Sequence, residues 1–422
     1  MKAARRLAPV LRPRAGRRLP RELSPENIGR IAGALPLGVR DPGFESLLGR
    51  IDEAPFHAGN RLEIFHRGEA AFASMRAAIA GARQEILLES YIFKDDATGQ
   101  EILGELAEAA GRGIQVRVLA DAFGSLWTGT RFWREMRSRG VEVRLFHPPL
   151  PYLWYQPFRD HRKILVVDRK VAFTGGMNIA EEYGSSRYRQ HGGPWRDTHA
   201  RVEGPVAWEM TVVFSEGWTR AGGTPFELSP LTVEEVGANP GARILVLDSR
   251  PWRGHRESAA VLAAIIGASR RSVFITNAYF APRWVAIRIL ADAARRGVDV
   301  RLLLPGLSDV PLVQHAGHGY FEALLAEGVR VFEYSAAVLH AKSLVADGLV
   351  SVVGSTNLDF RSFRFNAECN LVILEEATGR AMTDSFEEDL TRSVEIRRET
   401  WAKRTRLHRW GDALARRLSP FL

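Results

Sequence analysis

The chain has 422 residues, of which 45% are hydrophobic and 25% are charged, a composition typical of a folded globular protein long enough for two domains. Its formal net charge of +9 favours an anionic partner, such as nucleic acid, an acidic lipid surface or a phosphorylated substrate. The single cysteine, Cys369, excludes an internal disulfide and any zinc cluster built on cysteine ligands.

The first predicted segment is a basic arm. The opening sequence MKAARRLAPVLRPRAGRRLPR carries eight cations and no acidic residue. Pro9, Pro13 and Pro20 prevent a long helix, and no apolar core of signal-peptide length follows. We therefore assign residues 1–50 to a mobile basic arm and its lead-in.

Residues 51–225 form the first of two predicted lobes. EILLESYIF is typical of a strand, GQEILGELAEAAGRGIQVRVLAD of a helix and a strand, and FWREMRSRGVEVRLF of a second helix and strand. Helical spacing of the apolar residues, a glycine stop and β-branched runs support these assignments. The alternation predicts a mixed sheet with helices on its faces.

Residues 226–399 repeat this series as a second lobe. SVFITNAYF, WVAIRILADAARRGVDVRLLLP and YFEALLAEGVRVFEY match the three stretches of the first lobe in the same order. The Gly- and Pro-rich segment 221–243 falls between the two halves and marks their boundary. The predicted fold is therefore α/β, with two similar lobes related by a pseudo-two-fold duplication, each a mixed β-sheet flanked by helices.

The last predicted segment, residues 400–422, is a basic amphipathic tail. Leu407, Trp410, Leu414 and Leu418 recur at spacings of three and four, and the arginines lie off that stripe. Such a helix can lie in a membrane interface or pack on its own domain, and both alternatives remain open. No apolar segment approaches the roughly 18 residues that a membrane-spanning helix needs.

One stretch of sequence occurs twice. HRKILVVDRKVAFTGGMN begins at His161, and HAKSLVADGLVSVVGSTN begins 179 residues later at His340. The recurring positions are His161/His340, Lys163/Lys342, Asp168/Asp347, Gly175/Gly354, Gly176/Ser355 and Asn178/Asn357. A lone H-x-K-x4-D is a weak signal, but two copies in constant register are hard to produce by chance.

The repeated residues can build a phosphate site. A histidine and a lysine two residues apart on a strand face the same side, so each half presents an imidazole beside an ammonium. The aspartates head turn-like sequences on the other parity, and we expect them to fix the turn without transferring protons. The glycine allows a close backbone approach, and the asparagine amide can donate to an oxygen near the lysine.

Two such halves supply what displacement at phosphorus requires. One histidine can attack to form a phosphohistidine, while the other protonates the departing alcohol and later deprotonates the acceptor. The lysines and asparagines neutralise and hold the phosphoryl oxygens, which a metal ion does in other enzymes. We therefore predict one active site shared by both halves, with no metal and no other cofactor.

These residues resemble the phospholipase D superfamily, whose signature is H-x-K-x4-D followed by G-[GS]-x-N, usually present twice. Within that superfamily the chain is similar to the bacterial cardiolipin synthases, through GGMNIAEEYG, WRDTHARVEGPV, ITNAYFAP and GSTNLDFRSFRFNAECN. It looks like the shorter class that lacks N-terminal transmembrane helices. The resemblance implies transfer of a phosphatidyl group from one phospholipid to the hydroxyl of phosphatidylglycerol, without metal or nucleotide.

The predicted site residues follow from the motif and the resemblance together. The catalytic set is His161, Lys163, Asp168, His340, Lys342 and Asp347. The set that binds the substrate phosphate is Asn178, Asn357, Gly176 and Ser355.

In the superfamily, a carboxylate downstream of each motif orients the catalytic histidine. Asp197, in WRDTH, is the candidate for His161, and Glu368, in FNAECN, is the candidate for His340. A carboxylate on the far ring nitrogen would fix the tautomer and support the imidazolium. The alternatives are a turn residue for Asp197 and a surface charge beside a strand for Glu368.

A hydrolase of the same superfamily, either a phospholipase or a nuclease, is the second functional hypothesis. A nuclease would bind polynucleotide with a steep salt dependence, whereas a synthase would bind anionic vesicles. A non-catalytic binding protein is disfavoured because both histidines are intact. The expected partners are phospholipids and an anionic membrane surface, with peripheral attachment on the cytoplasmic side, and nucleic acid is not expected. The phosphatidyl donor, acyl preference and oligomeric state stay open.

Overall fold

The fold is described from a computed structural model, which covers residues 24–148, 158–184, 192–228, 241–251 and 257–418. The predicted basic arm, residues 1–21, lies outside these ranges. So does most of the predicted boundary segment, from residue 229 to residue 240.

The strands of both halves join in one large mixed sheet. Those of the first half are β1 (His57–Arg67), β2 (Glu85–Ser90), β3 (Gln115–Asp121), β4 (Glu142–Phe146), β5 (Arg159–Asp160), β6 (Ile164–Val167), β7 (Val171–Gly175) and β8 (Arg196–Glu203). Those of the second half are β9 (Ala242–Ser249), β10 (Ser272–Asn277), β11 (Phe280–Ala281), β12 (Asp299–Pro305), β13 (Arg330–Tyr334), β14 (Lys342–Ala346), β15 (Val350–Gly354), β16 (Leu358–Asp359), β17 (Asn366–Leu374) and β18 (Ser393–Ile396). Strands β11 and β16 form a separate parallel pair.

Both halves have the same strand order. The first runs β4-β3-β2-β6-β7-β8-β1, and the second runs β13-β12-β10-β14-β15-β17-β9, extended by β18 beside β13. The halves meet where β1 pairs antiparallel with β9, with Asn60 opposite Ala242. The predicted α/β class and duplication are confirmed. The two sheets are nevertheless continuous, because the equivalent edge strands of the two halves pair with each other.

The helices lie on the faces of this sheet. They are α1 (Pro25–Gly33), α2 (Pro42–Asp52), α3 (Gly68–Ala80), α4 (Ala97–Gly111), α5 (Thr130–Ser138), α6 (Glu181–Gly184), α7 (Pro205–Arg220), α8 (Glu257–Ala268), α9 (Trp284–Arg295), α10 (Pro311–Ala326), α11 (Phe360–Arg364), α12 (Glu376–Leu390), α13 (Arg398–Trp401) and α14 (Arg406–Leu418). The series β2-α4-β3-α5-β4 and β10-α9-β12-α10-β13 have parallel strands, and a hairpin follows each. The predicted alternation of strands and helices is therefore confirmed in both halves.

The helices α1 and α2 belong to the second half, although the sequence assigned them to the lead-in of an arm. Ile28 and Phe44 are buried in the same core as Leu245 of β9. Helix α1 crosses α8 where two glycines meet, and a Cβ at Gly267 would lie 2.2 Å from the backbone oxygen of Gly29. Only glycine permits this close approach of the two helices. Helices α1 and α2 thus complete the core of the second half.

The tail helix α14 docks on α10 through one face and exposes the other. Asp412 and Ala415 are buried against α10. The predicted apolar stripe faces away from the protein, and its Trp410 is 76% exposed. Packing on its own domain is thus confirmed for one face of the helix, and docking of the exposed stripe on a membrane stays a prediction. Across the described ranges, no helix is long and apolar enough to span a membrane.

Candidate active site

Each motif histidine follows a segment that is held by the opposite half. Strand β5 pairs with the start of β17, and the backbone N–H of His161 donates to the carbonyl of Ala367 at 2.9 Å. In the same way, the backbone N–H of His340 donates to the carbonyl of Arg196, at the start of β8, at 2.7 Å. Both histidines are therefore brought to the seam between the halves.

The orienting carboxylates also come from the opposite half. The Nδ1 atom of His161 lies 3.0 Å from Oε2 of Glu368, and Nδ1 of His340 lies 2.8 Å from Oδ2 of Asp197. The predicted roles of the two carboxylates agree with the structure, but the predicted pairing was wrong. The pairing of β5 with β17 places His161 beside Glu368, and the bridge between Leu339 and Arg196 places His340 beside Asp197.

The small residues of the motif support these carboxylates. The hydroxyl of Ser355 donates to Oε2 of Glu368 at 2.5 Å and accepts from the backbone N–H of Cys369. At the equivalent position, a Cβ on Gly176 would lie 2.1 Å from Oδ1 of Asp197, so only glycine leaves room for that carboxylate. The structure therefore gives both residues a supporting place beside an orienting carboxylate, and their binding of phosphate stays a prediction.

The motif lysines fold back toward their own histidines. Nζ of Lys163 donates to the carbonyl of His161 at 2.6 Å. Nζ of Lys342 donates to the carbonyl of His340 and lies 3.0 Å from Nε2 of the same ring. The strands begin later than predicted, since β6 starts after Lys163 and β14 starts at Lys342, yet each lysine still reaches its histidine.

The two rings share one electrostatic environment. Burial lowers the pKa of His161 well below its usual value, and Lys163, Lys342 and His340 lower it further. Burial and Lys342 also lower the pKa of His340, whereas its hydrogen bond with Asp197 acts in the opposite direction. Because charges from the second half reach His161, the two motifs form one centre.

The lysines and one carboxylate have pKa values near neutrality. Burial lowers the pKa of Lys163 to about 7 and that of Lys342 to about 8. Burial raises the pKa of Glu368 to about 8. An entering phosphate anion favours the charged form of both ammonium groups, so the centre is prepared to gain positive charge when its substrate binds.

The motif aspartates hold hairpin turns. The carboxylate of Asp168 accepts three backbone N–H groups at 2.8 to 3.0 Å, from Arg83, Gln84 and Glu85. That of Asp347 accepts three at 2.8 to 2.9 Å, from Arg270, Arg271 and Ser272. Both aspartates have positive φ, 51° and 52°. Each lies five residues beyond its lysine, about 16 Å along an extended strand. The turn-fixing role is confirmed, and a part of these aspartates in catalysis stays a prediction that this geometry does not favour.

The motif asparagines differ from each other. Asn178 accepts from the backbone N–H of Ile92 and donates to the hydroxyl of Tyr183, each at 3.1 Å. That hydroxyl lies 3.2 Å from Nδ1 of His340, so Asn178 acts on the ring through Tyr183. Asn357 is buried, and its Oδ1 has no hydrogen-bond partner in the described part of the chain. Donation of an amide N–H from either asparagine to a phosphoryl oxygen stays a prediction.

Two tyrosines that the sequence analysis did not single out pack on the histidines. The ring of Tyr91 lies 4.8 Å from that of His161, and the ring of Tyr279 lies 5.9 Å from that of His340. The motif lysines lie 5.3 and 5.8 Å from the same two rings. A weak signal was present, because a tyrosine follows each of the matched strands β2 and β10, in SYIF and NAYF, although the two positions differ by one residue.

Residues with metal-ligand spacing occur elsewhere. Within the described ranges, the one such group is His315, His318 and Asp412, where α10 contacts α14. None of them belongs to the repeated motif. The prediction of a metal-free reaction stays a prediction.

The arrangement suits transfer at phosphorus. A carboxylate on each Nδ1 leaves each Nε2 as the nitrogen that can reach a substrate. Two imidazoles in one centre can serve on opposite sides of a phosphate, and the two ammonium groups can hold its oxygens.

Comparisons with known proteins agree with this geometry. The family model described as "Cardiolipin synthase, PLD-like domain" matches residues 75–188 and 262–390. Cardiolipin synthase of Geobacillus kaustophilus is 34% identical over 395 residues, 92% of this chain and 78% of that protein. Cardiolipin synthase A of Pseudomonas aeruginosa is 35% identical over 382 residues, 90% of this chain and 77% of that protein.

A solved structure shares the fold. The phosphatidylserine synthase of Haemophilus influenzae superposes with a TM-score of 0.69 and 14% identity, over 88% of this chain and 96% of that chain. The family model matches both halves of the chain, and each of these two cardiolipin synthases is more than a third identical to it in sequence. Together with the paired motifs at the seam, these matches show that the chain belongs to the cardiolipin synthase family of phospholipase D-like proteins.

Proposed function

We propose that this chain is a phosphatidyltransferase that moves a phosphatidyl group from one phospholipid to the hydroxyl of phosphatidylglycerol, giving cardiolipin. The observation that carries the proposal is the pair of buried imidazoles, each held at Nδ1 by a carboxylate and each beside a lysine. The cardiolipin synthases to which the chain is similar support the choice of substrate class.

In the first step, Nε2 of His161 attacks the donor phosphorus. The phosphorus–oxygen bond to the headgroup breaks, and Nε2 of His340 gives its proton to the departing alkoxide. In the second step, His340 takes the proton of the acceptor hydroxyl, whose oxygen attacks phosphorus and displaces His161. The two steps balance, because the proton lent by His340 returns to it.

The environments of the two rings support this order. The pKa of His161 is well below the usual value, which keeps its Nε2 unprotonated and nucleophilic. The pKa of His340 is also lowered, by burial and by Lys342, but its hydrogen bond to Asp197 opposes this and partly restores the imidazolium, the form that can act as an acid. Two titratable groups whose surroundings differ in this way suit the roles of nucleophile and acid.

The test is to incubate the purified protein with phosphatidylglycerol vesicles and identify the products by mass spectrometry. We expect cardiolipin and free glycerol. Phosphatidic acid without cardiolipin would instead identify a hydrolase. His161→Ala and His340→Ala should each abolish turnover, whereas His408→Ala, at an exposed histidine of α14, should leave it intact.

The order of the histidines is tested with a radiolabelled phosphatidyl donor and a rapid alkaline quench, because a phosphohistidine is stable to base. His340→Ala should retain label on the protein, and His161→Ala should retain none. The reverse pattern would exchange the two roles.

We further propose that the chain docks peripherally on an anionic leaflet, on the cytoplasmic face, because the acyl chains of its substrates stay in the bilayer. One docking element is the tail stripe, defined as Leu407, Trp410, Leu414 and Leu418. A second is the first-lobe loop, defined as Phe123, Leu126 and Trp127, where Trp127 is 94% exposed. Both present exposed apolar side chains on a basic protein, as interfacial segments do.

The first-lobe loop lies beside the catalytic centre. The hydroxyl of Ser125 donates to the carbonyl of Tyr91 at 3.2 Å, and Tyr91 packs on His161. Insertion of this loop would therefore bring the catalytic rings toward the lipid headgroups. The basic arm can add about 1 kcal/mol of attraction per cation near an anionic surface.

A further inference from the structure

A wide cleft lies beside the catalytic centre in the second half. Its volume is about 990 Å³. Aromatic side chains from three elements line it, namely Trp284, Tyr320 and Phe360. Its arginines are Arg283, Arg288, Arg364, Arg416 and Arg417.

The charge of the cleft is strongly positive. Glu26 is the one acidic residue in the lining, and it lies 3.7 Å from Arg288. Across the described ranges, Arg283, Arg364 and Arg417 form no ion pair. Arg416 is fixed by its bond to the carbonyl of Gly319 and by the rings of Trp284 and Tyr320. Unneutralised guanidinium groups around an open cleft suit an anion with planar or tetrahedral oxygens, such as a phosphodiester.

The cleft is joined to the catalytic centre by a short strand. Tyr279 packs on His340, and Ala281, two residues later, lines the cleft. Two extended residues span about 7 Å. Strand β11 pairs there with β16, so that Ala281 lies opposite Asp359, and Phe360 follows in the lining.

We propose that this arginine cleft binds the phosphate of the acceptor phospholipid, an inference that rests on the proposed transfer reaction. The acceptor carries its own phosphodiester, separated from the attacking hydroxyl by one glycerol unit. When His340 activates that hydroxyl, the acceptor phosphate must therefore lie within a glycerol's length of the centre. The arginine cleft offers cations beside β11, the short strand that follows Tyr279.

The experiment compares two acceptors for the same enzyme intermediate. Phosphatidylglycerol in mixed micelles is supplied with isotope-labelled glycerol, a neutral acceptor that has no phosphate. Attack by phosphatidylglycerol gives cardiolipin, and attack by glycerol gives labelled phosphatidylglycerol. Arg283→Gln combined with Arg364→Gln should lower the ratio of cardiolipin to labelled phosphatidylglycerol by on the order of tenfold or more, since charge-assisted bonds are lost.

The matched control is Arg131→Gln combined with Arg134→Gln, two exposed arginines of α5 with the same change in charge. It should leave the ratio unchanged, and all proteins should show the same melting temperature and vesicle binding. An unchanged ratio in the cleft variant, or an equal fall of both products, would overturn the proposal. Failure of the wild type to form either product would instead refute the transfer reaction.

A soluble competitor distinguishes a headgroup site from a general anion site. Glycerophosphoglycerol should lower the ratio in the wild type and have little effect on the cleft variant. Inorganic phosphate at the same concentration should compete less well, because it lacks the glycerol groups. Equal competition by phosphate would show a site for free phosphate and count against the proposal.

Discussion

At the residue scale, the catalytic centre depends on which carboxylate contacts which imidazole. His161 relies on Glu368 and His340 relies on Asp197, so each lobe supplies the partner of the other lobe's histidine. Neither half therefore contains a complete acid–base unit. Each motif therefore depends on a carboxylate of the other lobe to orient its histidine.

Glu368→Gln should lower turnover by on the order of 100-fold or more, because the amide can donate its NH2 to Nδ1 of His161 and so favour the tautomer whose Nε2 already carries the proton. Ser355→Ala removes only the hydroxyl that supports Glu368, and it should cost less. Measuring kcat and the labelled intermediate for both variants tests the pairing. Accumulation of label in Glu368→Gln, as in His340→Ala, would mean that Glu368 serves the other histidine.

Substrate binding should weaken as the pH rises. In the free centre, burial sets the pKa of Lys163 to about 7 and that of Lys342 to about 8. A bound phosphate anion stabilises the ammonium form and raises both pKa values, so binding takes up protons. The KM for the phospholipid should rise from about pH 7 to about pH 9, measured at constant ionic strength in micelles. A KM that stays flat across this range would contradict it.

At the element scale, the aspartate of each motif fixes a hairpin turn. One carboxylate ties the hairpin β6–β7 to the start of β2, and the other ties β14–β15 to the start of β10. Each hairpin carries its histidine and lysine at the opposite end. The aspartates thus fix the position of the hairpin on the sheet.

Asp168→Ala should lower the free energy of unfolding by about 2 kcal/mol, because three backbone N–H groups lose their acceptor. The folded protein should keep most of its turnover at low temperature. Urea unfolding and initial rates measured on the same sample test this, with Asp95→Ala as an exposed control. Loss of activity with unchanged stability would give Asp168 a catalytic role after all.

The exposed apolar elements should govern membrane binding. Trp410→Ser with Leu414→Ser, or Leu126→Ser with Trp127→Ser, should each weaken sedimentation with anionic vesicles by several-fold, since apolar area no longer enters the interface. The control is Leu37→Ser with Val394→Ser, two exposed apolar residues outside both elements. Activity on a short-chain soluble lipid should change little. Equal sedimentation of all three variants would show that neither element is the anchor.

At the scale of the whole molecule, a buried charge network joins the lobes next to the histidines. Arg162 is fully buried within 3.6 Å of three carboxylates, Asp160, Glu89 and Asp248. Glu89 lies in β2 and Asp248 in β9, so the guanidinium bridges the two halves. In the sequence, Arg162 lies between His161 and Lys163, and its side chain points to the opposite side of the segment from theirs.

Arg162→Met should destabilise the fold by about 3–5 kcal/mol, because it removes a buried guanidinium from a cluster of acidic groups in which only Asp248 keeps a second cation, Arg250. Arg83→Met, at an exposed arginine, is the control and should change stability little. Chemical denaturation followed by tryptophan fluorescence provides the measurement. A loss below about 1 kcal/mol would show that the network is not needed to hold the halves together.

The sequence by itself determined the α/β class, the duplication, and the identity of the histidines, lysines and carboxylates. Apolar periodicity and the repeated motif are local patterns, and they persist wherever each half packs. A tyrosine also follows each of the matched strands, in SYIF and NAYF, at positions that differ by one residue.

Only the tertiary structure decided which carboxylate serves which histidine, because that choice depends on the crossing of β5 onto β17, between segments more than 200 residues apart in sequence. It likewise decided that α1 and α2 close the core of the second half, through contacts that no periodicity encodes. It placed Gly176 and Ser355 under the carboxylates and Asn178 behind Tyr183. A residue type fixes what a side chain can bond, but its partner is set by packing between distant parts of the chain.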